Sequence, residues 1–250
     1  MQKVLAQLGL ASRREAENWI RAGRLTVNGR PAVLGTRVIP QDQLKLDGRL
    51  IRRNASASHA APVILCHRSP GEPLLGERAP RQSTNPGGSM AARLPRRAGR
   101  RFISISPLPA VDGGLELLTA DGATAARLQR LMHGLEMEFS LRIRGELSTE
   151  QQQAIRQGML DSGSAVQITL LEPSGGEGSN RWYRLVAVGA SGNEIRQLIE
   201  RAAATLVRTL RTRIGAVTLP RTLPRGHWRE LTDEETASLA SQAGSPGSDR

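Results

Sequence analysis

RFISISPLPAVDGGLELLTADG, residues Arg101 to Gly122, holds two strands, a turn and the start of a helix. Apolar and polar residues alternate through Phe102, Ile103, Ser104, Ile105 and Ser106, the pattern of a half-buried strand. Leu115 to Thr119 predicts a second strand, entered through an Asp112-Gly113-Gly114 turn. Asp121-Gly122 then opens a helix, with Asp121 as its cap.

Before this stretch, residues 1 to about 52 carry legible punctuation. Gln2 to Leu8 predicts a short helix ended by Gly9. Ser12 followed three residues later by Glu15 is a capping box for a helix over Arg13 to Ala22, and Gly23 stops it. Leu25-Thr26-Val27 runs into Asn28-Gly29, a strong hairpin signal, and further extended pieces are expected around Ala32 to Leu34, Arg37 to Ile39 and Gln43 to Leu46. Residues 53–61, RNASASHAA, have no periodicity and read as a linker. Val63 to Arg68 is apolar enough for a buried strand, whereas Gly71 to Ser89 reads as a surface loop. Arg96, Arg97, Arg100 and Arg101 form a basic cluster before the central stretch.

After it, Ala123 to Met132 predicts an amphipathic helix with Ala125, Leu128 and Met132 on one face. Glu138 to Arg144 alternates Phe139, Leu141 and Ile143 with Ser140, Arg142 and Arg144. Ser148 and Gln151 form a second capping box for a helix to about Met159. Val166 to Leu171 and Trp182 to Val188 are expected strands joined by SGGEGSN, a plain hairpin loop because no helix follows to make it a phosphate cradle. A helix over Asn193 to Ala204 and a strand over Leu206 to Ile214 follow, and residues 237–250 read as a disordered tail.

The 250-residue chain has 38% hydrophobic residues and a formal charge of +12 with a pI near 11.4. That charge favours a polyanionic partner, because each phosphate neutralised by Lys or Arg releases condensed counterions. No apolar run approaches the roughly 20 residues that span a bilayer, and the first residues do not have the form of a secretory signal. The single cysteine, Cys66, cannot form an internal disulfide, so a cytoplasmic location is expected. His59, His67, His133 and His227 are scattered, and no metal site or cofactor is expected.

QKVLAQLGLASRREAENWIRAGRLTVNGRPAVLGTRVIP resembles the small S-four RNA-binding domain over essentially all of residues 1 to 51. The resemblance implies that Lys3, Arg13, Arg14, Arg21, Arg24 and Arg30 hold structured RNA; Arg96, Arg97, Arg100 and Arg101 are expected to add a second basic contact from their charge density next to the central stretch. The central GLELLTADG, together with SGGEGSNRWY and LPRGHWRELT, resembles the RsuA/RluB-type pseudouridine synthases. That implies an α+β protein: an S-four-like domain (1–52), the linker (53–61), a mixed, largely antiparallel synthase domain (62–236) and the tail (237–250). The implied partner is RNA, above all ribosomal RNA or an assembling ribosomal subunit, with no membrane.

Members of that family read roughly G-R-L-D before G-L-L-L-L-T-x-D-G, and their Asp starts breaking the glycosidic bond of a flipped uridine. Here Ser106-Pro107-Leu108-Pro109 stands in its place, and Pro109 has no ionisable group. Phe139 occupies the position of the family's Tyr, keeping a stacking face without the hydroxyl. In the stretch matching G-R-x-R-E/Q-V-R-R, Ser191 and Asn193 replace Arg, and Arg196 is retained with Phe139 as the implied base pocket. Asp112 is the candidate replacement carboxylate, set against its ordinary reading as a turn residue before Gly-Gly. Three functions follow as expectations: an RNA-binding protein on a degenerate synthase scaffold, an active synthase using a displaced carboxylate, or a basic protein-interaction module whose cleft binds nothing.

Overall fold

The computed structural model describes residues 1–8, 10–51, 62–74, 89–94, 102–176 and 178–242. The chain divides into two compact units: Met1–Ala61 with Pro95–Ile103 and Thr119–Ala125, and Pro62–Leu94 with Ser104–Leu118 and Ala126–Arg250.

In the first unit, helix α1 (Gln2–Gln7) precedes α2 (Arg13–Arg21), whose capping box forms as the sequence predicts: Glu15 N–H donates to Ser12 Oγ, and the Glu15 carboxylate accepts from Ser12 N–H. Strands β1 (Leu25–Val27), β2 (Arg30–Pro31), β3 (Leu44–Leu46) and β4 (Arg49–Leu50) form a small sheet in the order β2-β1-β3-β4. The β1–β2 turn uses Asn28 at φ 52° and Gly29 at φ 83°, the left-handed pair that a two-residue hairpin demands. Leu5, Ala16, Ile20, Leu25 and Leu44 make the core. The expected extended pieces at 32–34 and 37–39 do not pair as strands. Ala32 N–H still donates to the Leu25 carbonyl, but beyond it the chain closes two turns, with Thr36 Oγ1 bonded to Val33 and Asp42 accepting from Ile39 N–H.

The second unit holds β5 (Val63–Arg68), β7 (Gly113–Thr119), β8 (Glu136–Arg144), β9 (Gln167–Pro173), β10 (Asn180–Val188), β11 (Leu206–Ile214), β12 (Val217–Thr218) and β13 (Trp228–Glu230). Its sheet runs β13-β5-β7-β11-β8-β10-β9, with β12 beside β11 and β6 (Ile103–Ser104) beside β7. The β7–β11 pair is parallel, whereas the ladders joining β11, β8, β10 and β9 are antiparallel. Helix α3 (Gly122–Leu131) follows β7, α4 (Thr149–Gln157) lies between β8 and β9, and α5 (Gly192–Arg201) between β10 and β11. Phe139, Leu141 and Ile143 on one face of β8 enter a core that includes Leu117, Leu185, Ile195 and Leu198, while Ser140 and Arg142 face away.

Two expectations need correction. The strand predicted over 102–106 is short, because Ser106 is drawn off the ladder when its carbonyl accepts from Arg211. The tail expected from 237 is helical to Gln242: α6 (Asp233–Gln242) is started by Thr232, whose Oγ1 accepts from Glu235 N–H, and held by Leu239, fully buried in the core. The expected linker at 53–61 lies outside the described residues.

Candidate functional site

Every residue of β7 is buried, and its first two are glycines for a steric reason. A Cβ on Gly113 would sit 2.7 Å from the Arg68 carbonyl oxygen. One on Gly114, at φ +101°, would sit 2.3 Å from that of Arg211. The two glycines therefore lie inside the strand, and the turn falls one step earlier, where Asp112 N–H donates to the Pro109 carbonyl at 3.0 Å.

Asp112, read from sequence as a turn residue, is fully buried. Its Oδ2 accepts from Arg196 Nε at 2.7 Å and its Oδ1 from Arg196 Nη2 at 2.5 Å, a bidentate fork. The carboxylate raises the Arg196 guanidinium above its ordinary pKa by that hydrogen bonding, against the opposing pull of burial. Arg196 is fixed by α5, which starts at a capping box between Ser191 and Glu194. The N-terminus of α5 packs on the loop at Pro109: a Cβ on Gly192 would lie 2.7 Å from Pro109 Cδ and 2.8 Å from Leu108 Cδ2.

Behind that loop lies a buried network that the sequence reading did not single out. Arg68 Nε donates to Glu116 Oε1 at 3.1 Å, and its Nη2 donates to the carbonyls of Leu108 at 3.1 Å and Pro109 at 2.7 Å. Arg211 holds the other Glu116 oxygen at 3.3 Å, the Leu115 carbonyl at 2.9 Å, and both Ser106 oxygens. Leu108 N–H donates to Glu116 Oε1 at 3.0 Å. Burial pushes the Glu116 carboxyl up, while Arg211 and Arg68 pull it back. The loop over 106–110 is thus fastened by its own carbonyls to two guanidinium groups, with one carboxylate between them. A signal was present in the sequence: Glu116 is a charged residue in the middle of the apolar run GGLELLT.

Of the expected base-pocket residues, Phe139 is fully buried in the core and Arg196 is the partner of Asp112. The expected RNA contacts of the first unit, Lys3, Arg13, Arg14, Arg21, Arg24 and Arg30, are all exposed. Arg24 forks onto Asp47 and lies 5.6 Å from the Trp19 ring centroid, and Arg21 approaches Glu17 at 3.9 Å. Lys3, Arg13, Arg14 and Arg30 have no ion pair among the described residues. Arg96, Arg97, Arg100 and Arg101 lie outside the described residues. No group of three or more His, Cys, Asp or Glu able to hold a metal occurs among the described residues.

Residues 2–44 match the family model described as the S4 domain. Over 245 residues the chain is 36% identical to ribosomal large subunit pseudouridine synthase B of Pseudomonas aeruginosa, covering 98% of this chain and 62% of that protein's length. It is also 36% identical over 242 residues to the protein of the same name from Escherichia coli strain K12, covering 96% of this chain and 81% of the relative. A crystal structure of a pseudouridylate synthase shares the fold with a TM-score of 0.60 at 17% identity, covering 95% of this chain and 98% of that one.

Proposed function

This chain belongs to the RsuA/RluB-type pseudouridine synthase family, and on that premise we propose that it is an RNA-binding protein that keeps the synthase scaffold without its isomerase chemistry. The observation that carries the reading is the joint state of Pro109 and Asp112. Pro109 stands where the family's nucleophile is expected, and its ring packs against Gly192. The nearby carboxylate, Asp112, is fully buried with both oxygens held by Arg196. A nucleophile must come within roughly 3 Å of the reacting sugar carbon with an oxygen free to attack. Fully buried and with both oxygens bonded to Arg196, Asp112 presents no exposed oxygen for attack while the fork is closed.

The RNA reading is supported by the S4 match, by Lys3, Arg13, Arg14 and Arg30, exposed cations of that domain with no ion pair among the described residues, and by the charge of +12. The relatives are named for the large ribosomal subunit, and we assign ribosomal RNA, free or in an assembling subunit, as the ligand, with a reducing cytoplasm as the compartment for a chain with one cysteine. One observation favours a second reading, an active synthase: the Asp112–Arg196 fork joins a carboxylate to the basic residue retained from the family's stretch. Pseudouridine mapping of large-subunit ribosomal RNA incubated with purified protein separates the two. The first reading expects no new site. A new site that vanishes in Asp112→Ala establishes the second. Salt-dependent binding weakened about tenfold by Arg13→Glu with Arg14→Glu tests the RNA ligand itself.

A further inference from the structure

The sheet of the second unit has a face that neither the core nor the site above uses. Across β10, β8 and β11, Trp182 stands opposite Arg142, and Arg142 stands opposite Arg208, in one row perpendicular to the strands. All three side chains are half-buried, and Arg144, on the same side of β8 two residues along, is exposed. The Arg142 guanidinium lies 6.0 Å from the Trp182 ring centroid. Like charges directly across a strand pair are destabilising, yet no carboxylate among the described residues pairs with the arginines of this row. Arg142, Arg144 and Arg208 have no ion pair among the described residues, and Arg142 Nε is buried without an acceptor. The carboxylates nearby are committed elsewhere: Glu138 to Thr212 at 2.7 Å and Arg213 at 3.8 Å, and Glu172 to Arg184 at 3.0 Å.

We propose that this face is a second RNA site that takes an unpaired segment, one base stacking on Trp182 and the adjoining phosphates seated between Arg142, Arg208 and Arg144. An indole plane next to a guanidinium offers a π-surface to any base, and an unstacked base is needed to use it, because a duplex keeps its base faces covered. A phosphate between two opposed guanidiniums removes their repulsion and gives the orphaned Nε–H an acceptor. The charge of the row selects a polyanion over a protein surface of ordinary composition. The site is distinct from the cations of the S4 domain, and it rests on the RNA-binding reading only in needing RNA as the ligand.

The test measures the affinity of the full chain for a labelled oligouridylate and for an RNA hairpin across a salt series. Trp182→Leu is expected to weaken oligouridylate binding about tenfold, the scale of one lost base stack, and to leave hairpin binding within about twofold. Arg208→Gln, at a half-exposed position that does not threaten folding, should lower the salt slope for oligouridylate by about 0.7, one phosphate contact on a single strand. Arg13→Glu with Arg14→Glu should give the reverse pattern, a loss on the hairpin alone. Hairpin binding without oligouridylate binding, or oligouridylate binding indifferent to both Trp182→Leu and Arg208→Gln, overturns the second site and leaves the first reading standing. A wild-type chain that binds neither RNA overturns both.

Discussion

The Arg196 guanidinium and the Asp112 carboxylate close on each other across 84 positions of chain, through contacts of 2.7 and 2.5 Å. This pairing turns a residue with ordinary turn chemistry into a fully buried anion. It also withdraws this carboxylate, three residues after Pro109, from solvent.

Removing that anion should cost stability. Asp112→Asn leaves Arg196 without its counter-charge in a partly buried position, and a loss of about 3 kcal/mol is expected, the low end for breaking a buried pair. Urea unfolding followed by circular dichroism measures it. An unchanged midpoint would mean that the fork contributes nothing to the folded state.

On the reading proposed above, a carboxylate placed at 109 should not by itself produce isomerase activity. In Pro109→Asp the new side chain meets Arg196 already engaged, Ser191 and Asn193 where the family resemblance implies arginines, and Phe139 without a hydroxyl. No pseudouridine is expected by chemical mapping of the incubated RNA. Turnover by this single variant would show that the rest of the cleft is competent.

Cys66 should be inert in the folded protein. It lies in the buried strand β5, and burial, reinforced by Glu116 and Glu72, pushes its thiol up and holds it protonated. A thiol-specific chromogenic disulfide should label less than about a tenth of it within an hour at pH 8, a rough bound that follows from the scarcity of thiolate. Complete labelling is expected in denaturant. Fast labelling of native protein would contradict the packing of β5.

The C-terminal helix supplies a pH signature. Glu235 is held below its ordinary pKa by hydrogen bonds from Arg229, so its contribution is present at pH values above the unfolded carboxylate range and is lost as pH falls through the depressed folded value. Wild type should therefore exceed Glu235→Gln by less than about 1 kcal/mol at pH 7, and the two should converge once the pH has fallen below that depressed value. A difference that grows on acidification would reverse the sign of the linkage.

By itself the sequence determined what depends on near neighbours. Ser12 with Glu15, Ser148 with Gln151, and Asn28-Gly29 act over a few residues, and each forms as its local chemistry dictates. Proline at 109 was equally legible, since the absence of an ionisable group needs no fold to be seen. The tertiary structure alone decided what Asp112 does, where the turn falls, and that Arg68, Glu116 and Arg211 fasten the loop beside it. The Arg68–Glu116 and Arg211–Glu116 pairs are 48 and 95 residues apart, and their meeting depends on β7 lying so close to the Arg68 carbonyl on one side, at 113, and to its parallel neighbour β11 on the other, at 114, that only glycine fits at either position. Asp-Gly-Gly in isolation has turn chemistry; against the Arg211 backbone it becomes the entry to a buried strand, because there the approach of the chain, rather than the freedom of the glycines, sets the conformation.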